Sequence, residues 1–281
     1  MADGLRTADR HSLNPNSTTM RLTISLAQLS FTFGDVQANF DHAASAVAEA
    51  ADHGSDIILL PELWSSGYDL ENWEQYAAPI DGGVFARIAA LAREHQIAIG
   101  GSYLELHDGR AYNTFVLYGP DGTRWGVYRK IHLFRLLAEE KYLGAGDALV
   151  LADTPWGPIG LATCYDLRFP EIFRSYALSG ARLILLVAEW PERRVAHWTK
   201  LLQARAIENQ AYVAGVNKVG ASQGVKLGGQ SAVIDPWGEP IAAGTDQEIL
   251  LTAEIDLREA DVARRYIPVF KDRRPDIYDT D

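Results

Sequence analysis

The stretch ATCYDLRFPE, residues 162–171, holds Cys164, the only cysteine in a chain of 281 residues. A thiolate is a strong nucleophile, but a thiol of ordinary pKa, about 8.5, needs a neighbouring base or cation before it attacks near neutral pH. Two other segments offer such groups. LLPEL sets Glu62 behind an apolar run, where a carboxylate has no packing role, and VYRKIHLF sets Lys130 at the end of another. GPIGLATC reads as a strand that ends on the cysteine, and Pro170 and Glu171 stand where a helix begins, so the thiol sits on a tight turn above the sheet. Each residue alone also has a plainer reading. A single buried cysteine is commonly an inert small hydrophobe, and a lone charge at a strand end is commonly solvated. Together they say more, because side chains at the carboxyl ends of strands in an open α/β sheet converge on one crevice.

Other constellations are weaker. A Cys-His pair would draw on His132 or His197, but His132 lies two residues past Lys130 and His197 sits in the helical segment RRVAHWTKLLQARAIENQ, so both read as structural histidines. GASQGVKLGG, residues 220–229, lacks the glycine spacing of a phosphate cradle and does not lead from a strand into a helix; it reads as a loop. One cysteine allows no internal disulfide and no cysteine-rich zinc site, and a reducing cytoplasm is its natural setting.

The elements that must position these residues alternate along the chain. RLTISLAQ is a strand; Val36, Phe40, Ala43, Val47 and Ala50 recur at helical spacing behind an Asp35 cap, and Gly54 ends that helix. DIILLPE is a short continuous apolar run of the kind that forms a strand buried on both faces. A helix over 84–95 follows, then strands IAIGGSYLEL, NTFVLYG and TRWGVYR, the last two joined through PDG. ALVLADT and IGLATC turn through PWGP. Helix 170–179, strand RLILLVAEW, helix 193–209 and strand AYVAGVNKV continue the alternation, and SAVIDPWGE with EILLTAEID reads as a closing hairpin. Residues 1–19 are polar and aperiodic, a flexible extension, with Met20 available as an alternative start. Residues 20–281 form one α/β domain. Tyr266, Ile267, Val269 and Phe270 cluster beyond the last strand, so the segment from about residue 257 is expected to be a dimerisation tail. The net charge of -11 argues against nucleic acid or an anionic membrane as main partner, and no apolar stretch is long enough to span a bilayer.

LPEL, YRKIHLF and CYDLRFPE, in that order and each at a strand end, resemble the three signature segments of the nitrilase superfamily of carbon-nitrogen hydrolases. The resemblance implies a four-layer α-β-β-α sandwich that usually dimerises, with a Glu-Lys-Cys triad at Glu62, Lys130 and Cys164. A supporting glutamate falls on Glu139, with Glu140 its neighbour. Glu62 would take the thiol proton, Lys130 and the backbone N–H of Tyr165 would stabilise the oxyanion, and a thioester on Cys164 would be hydrolysed by water that Glu62 activates. That chemistry requires no metal or organic cofactor. CYDLRFPE followed by EWPERRVAHW and LLQARAIENQAYVAGVNKVG is similar to the omega-amidase branch, whose substrates are 2-oxo dicarboxylic monoamides, although relatives commonly carry Asn-Trp-Pro where this chain has Glu189, Trp190 and Pro191. Deaminated glutathione or an N-carbamoyl acid is the alternative substrate, and an inactive scaffold the alternative class. A substrate carboxylate needs local cations in an acidic protein, and Arg168, Arg193 and Arg194 are the candidates, with Asp166 or Glu171 as a competing structural partner for Arg168.

Overall fold

The computed structural model describes residues 20–278; the extension expected at 1–19 lies outside them. In chain order the first half holds β1 (Arg21–Gln28), α1 (Val36–Asp52), β2 (Ile57–Leu59), α2 (Gly83–His95), β3 (Ala98–His107), β4 (Arg110–Tyr118), β5 (Arg124–Arg129), the one-turn α3 (Glu139–Tyr142) and β6 (Leu143–Gly144). The second half holds β7 (Leu151–Thr154), β8 (Gly157–Thr163), α4 (Pro170–Leu178), β9 (Leu183–Ala188), α5 (Val195–Asn209), β10 (Tyr212–Asn217), β11 (Ala221–Ser222), β12 (Val225–Lys226), β13 (Ala232–Ile234) and β14 (Pro240–Ala243). The chain ends through β15 (Ile249–Asp256), α6 (Arg258–Tyr266) and α7 (Pro275–Tyr278).

Two large sheets result. One has the order β15-β1-β2-β3-β4-β5, with β6 beside β4, and the other the order β14-β13-β10-β9-β8-β7. The closing hairpin expected from SAVIDPWGE and EILLTAEID does not form. β13 instead turns through PWGE onto β14, while β15 crosses to the other sheet and pairs antiparallel with β1, from Arg21↔Asp256 to Gln28↔Ile249. Sequence spacing is blind to this swap, since β15 satisfies its edge equally well against either neighbour until the sheets are assembled.

The four layers follow from strands that are apolar on both faces. Successive side chains of a strand point to opposite sides. Ile57 and Leu59 accordingly join Leu185, Val187 and Val216 in a core between the two sheets, while Ile58 and Leu60 join Val47 of α1 and Phe85 and Ile88 of α2 on the outside. Ile184 and Leu186 likewise face Phe173 of α4 and Trp198 and Leu202 of α5. The arrangement is an α-β-β-α sandwich with an apolar core at each of its three layer interfaces and a smaller fourth cluster around Leu63, Leu104 and Leu143. Gly160 lets α4 close onto its sheet: a Cβ there would lie 2.7 Å from the Tyr176 ring, whose hydroxyl donates to the Leu161 carbonyl at 2.6 Å.

Glu62 and Lys130 follow strands of the first sheet and Cys164 follows β8 of the second. The crevice is therefore not the edge of one open sheet, as strand-end reasoning alone expects, but the seam between two sheets. α6 runs on from β15 and lays Ala260 and Ala263 against its own chain, with Arg264 Nη2 donating to the Ala181 carbonyl at 2.6 Å. Tyr266, 78% exposed, and Ile267 face outward.

Candidate active site

Three turns bring the side chains together, and each carries backbone in the left-handed region that side-chain-bearing residues avoid. Leu63 (φ 42°) follows Glu62, Ala138 (φ 53°) precedes Glu139, and Cys164 itself has φ 48°. Such conformations cost on the order of 1–3 kcal/mol each and persist only where the surroundings impose them. Cys164 opens a 3-10 turn (Cys164–Arg168) directly after β8, and Pro170 starts α4. The tight turn expected from GPIGLATC and Pro170 is present. Asp166 fastens it: the carboxylate accepts from the Thr163 N–H at 2.9 Å, the Tyr128 hydroxyl at 2.7 Å and the His132 N–H at 3.2 Å, tying the cysteine turn to the lysine turn.

At the centre, Lys130 Nζ donates to Glu62 Oε1 at 2.9 Å and to Glu139 Oε1 at 2.8 Å, all three side chains having no solvent exposure. Glu62 further accepts from Asn113 Nδ2 at 2.8 Å and, through Oε2, from the Glu189 N–H at 2.9 Å. Glu139 also accepts from the Tyr68 hydroxyl and, at 2.9 Å, from the Phe134 N–H. Glu140 is exposed, whereas its neighbour Glu139 is buried in this cluster. Burial works against the charge of Lys130, but Glu139 and Glu62 together outweigh it and hold the ammonium well above its ordinary range. Burial raises the Glu139 carboxyl, with Lys130 opposing. Burial likewise pushes the Cys164 thiol well up, and the Glu62 carboxylate adds to that push while Lys130 opposes it. The resting cysteine is thus held toward its neutral thiol form.

Cys164 opens on a cavity of about 460 Å³ lined by Tyr68, Phe134, Tyr165, Glu189 and Trp190, among others, with Arg168, Arg193 and Arg194 on its wall.

The sequence pattern of the carbon-nitrogen hydrolases matches residues 23–265. The chain belongs to the carbon-nitrogen hydrolase family. It is 37% identical over 260 residues to the 2-oxoglutaramate amidase of Bacillus subtilis, covering 92% of this chain and 100% of that one. It is 36% identical over 271 residues to human (Homo sapiens) omega-amidase NIT2, covering 93% and 97% respectively. Its fold is similar to the solved structure of a CN-hydrolase superfamily protein from Xanthomonas campestris with an arsenic adduct in its active site, with a TM-score of 0.83, 33% identity, and coverage of 90% of this chain and 97% of that one.

In this carbon-nitrogen hydrolase the rival histidines are occupied elsewhere. His132 Nδ1 lies 2.8 Å from Asp166 Oδ1 and its ring stacks on Phe169 at 3.6 Å, while His197 Nδ1 lies 3.3 Å from Arg168 Nη2. Neither Asp166 nor Glu171 pairs with Arg168, whose guanidinium instead sits 4.8 Å over the Trp190 ring. Among the described residues none of the three arginines has a carboxylate within ion-pair distance. Burial and then the charges of Arg193 and Arg168 lower the Arg194 pKa, the mark of cations crowded without a counter-ion. Among the described residues no group of three or more His, Cys, Asp or Glu side chains is arranged to hold a metal.

Sequence reasoning missed Tyr68 and Asn113, and although it singled out Glu189 as a departure from the Asn-Trp-Pro of relatives it did not foresee that this residue pairs with the buried Lys218. Asn113, a polar residue within a strand buried on both faces, was the one readable signal among them. GASQGVKLGG, read as a loop, contains the small hairpin of β11 and β12, and Ser222, Gln223, Val225 and Leu227 from it line the cavity.

Proposed function

We propose that this enzyme hydrolyses the distal amide of a 2-oxo dicarboxylic monoamide, acting as an omega-amidase through a thioester on Cys164. The observation that carries the reading is a thiol beside a Glu-Lys-Glu cluster, in a cavity whose wall bears three arginines without carboxylate partners among the described residues. Relatives at 36–37% identity named 2-oxoglutaramate amidase and omega-amidase support the substrate class.

Glu62 takes the thiol proton as Cys164 Sγ attacks the amide carbon. Lys130 Nζ and the N–H of Tyr165, in the first turn after β8 where backbone donors lack helical partners, stabilise the oxyanion. Glu62 returns the proton to the nitrogen and ammonia leaves; water activated by Glu62 then cleaves the thioester. Glu139 and Tyr68 keep Lys130 aimed at the developing charge. Arg168, Arg193 and Arg194 receive the substrate carboxylate, a guanidinium being suited to two parallel hydrogen bonds. We further propose that residues 20–281 act as one unit, that the outward side of α6 and the residues beyond it joins two copies into a homodimer, and that the enzyme works in the reducing cytoplasm. No helix among the described residues is long and apolar enough to cross a membrane.

Ammonia release measured over a panel of linear amides tests the reading. Preference for a monoamide bearing a free carboxylate is the expected result, and preference for a neutral aliphatic amide or nitrile over every charged one would remove the omega-amidase assignment.

A further inference from the structure

The cavity holds a second buried ion pair that the reaction above does not use. Glu189, just past β9, and Lys218, just past β10, are 8% and 2% exposed and are bonded to each other through Glu189 Oε2. Lys218 Nζ also sits over the rings of Tyr68 and Phe31, at 5.8 and 5.9 Å. Glu189 lines the cavity; Lys218 stands behind it. The backbone N–H of Glu189 donates to Glu62 Oε2 at 2.9 Å while Lys130 donates to Oε1, so Glu189 is anchored directly to the glutamate at the centre of the cluster. Lys218 engages Glu189 Oε2 from behind, and the Ser222 hydroxyl, which donates to the Gly67 carbonyl at 3.3 Å, stands close to the same carboxylate at the cavity wall. A carboxylate at a cavity wall has lone pairs to offer a ligand that brings an N–H donor.

We propose that Glu189 recognises the leaving group: its carboxylate accepts the second N–H of a primary carboxamide whose nitrogen is protonated by Glu62. The inference rests on the amidase reading. As the Sγ–C bond forms and the C–N bond breaks, the bonding pair and the proton from Glu62 pass to nitrogen, which leaves as ammonia. The nitrogen becomes more positive while it is protonated, so an ionised acceptor beside it binds the transition state more tightly than the ground state. Burial raises the Glu189 carboxyl above its ordinary range, and Lys218 opposes that rise. An ester offers no N–H to this carboxylate, and an N-methyl amide offers only one to share between Glu62 and Glu189.

The test compares kcat/KM for the primary amide, the N-methyl amide and the methyl ester of one acyl group, the omega-amide position of 2-oxoglutarate, in the wild type and in Glu189→Met with Lys218→Met. Replacing both members of a buried ion pair with apolar groups of similar volume preserves folding better than removing one. The amide-to-ester ratio is expected to fall about 10- to 100-fold, the effect of losing one charged hydrogen bond, while ester hydrolysis stays within about threefold. A ratio that changes less than about threefold, whether both rates fall or neither does, overturns the proposal. Should the apolar pair not fold, Glu189→Gln with Lys218→Gln is read by the same ratio, because the lysine-facing oxygen stays engaged and the cavity then meets an N–H₂ donor. A wild type that hydrolyses neither amide nor ester would remove the amidase reading itself.

Discussion

Replacing Lys130 with Met keeps most of the side-chain volume and removes an ammonium 2.9 Å from Glu62 Oε1 and 2.8 Å from Glu139 Oε1. Two separable losses follow. The rate loses one oxyanion donor, which lowers kcat about 10²- to 10³-fold. The fold is left with two carboxylates buried together and no cation, and breaking a buried pair in this way costs about 3–5 kcal/mol. The pH dependence identifies the cause. Lys130 is held above its ordinary 10.5, so its stabilising charge is fully present throughout the neutral range and lost only well above it. Glu139 is already raised by burial with Lys130 opposing, and rises further once Lys130 is gone. An acid whose folded pKa exceeds its unfolded one destabilises the fold increasingly as pH climbs between the two values, by up to about 1.4 kcal/mol for each pH unit that separates them. The deficit of the variant is therefore smallest near about pH 5 and grows toward about pH 8. Urea unfolding followed by circular dichroism at both pH values, with ammonia release at each, reads the two losses. A deficit below about 1 kcal/mol at the higher pH, or one equal at both, refutes the buried-charge argument; turnover within tenfold of wild type refutes the oxyanion role.

Cys164→Ala should abolish turnover with native circular dichroism, and activity above a tenth of wild type would end the thioester mechanism. Because the Glu62 carboxylate raises the Cys164 thiol, Glu62→Gln should lose turnover yet shift the pH profile of iodoacetamide alkylation downward; an upward or unchanged profile contradicts that electrostatic account. Arg194→Ala and Arg193→Ala should raise KM for the charged monoamide far more than for its carboxylate methyl ester, and equal losses on both substrates would make these arginines structural. Tyr266→Asp with Ile267→Asp, both at exposed positions, should give monomers by light scattering; a folded dimer would relocate the interface.

Much of this architecture is legible in the amino-acid sequence. DIILL and RLILLVA announce strands covered on both faces, which only a layered α/β architecture provides, and Glu62, Lys130 and Cys164 each stand out as reactive groups at strand ends. What spacing could not give was partnership across sheets. β15 has the same alternation whether it pairs with β14 or β1, and Glu189 and Lys218 look like isolated charges until β9 and β10 lie side by side. Tyr68 was hidden for another reason: its hydroxyl reaches Glu139 only because the turn after Glu62 passes through left-handed backbone at Leu63 and Tyr68, residues with no sequence preference for it.

The crossing of β15 onto β1 also dictates when the protein can be finished. Glu62, Lys130 and Cys164 all leave the ribosome well before Ile249–Asp256, yet until those last residues arrive the outer edge of β1 is an unpaired row of backbone donors and acceptors. A nascent chain therefore carries its full set of reacting side chains on a sheet that still lacks a border strand. Its first and last strands must find one another across almost the whole length of the polypeptide, a slow closure for a fold with so many distant pairings. Truncation near the carboxyl end thus exposes the beginning of the chain, far in sequence from the cut.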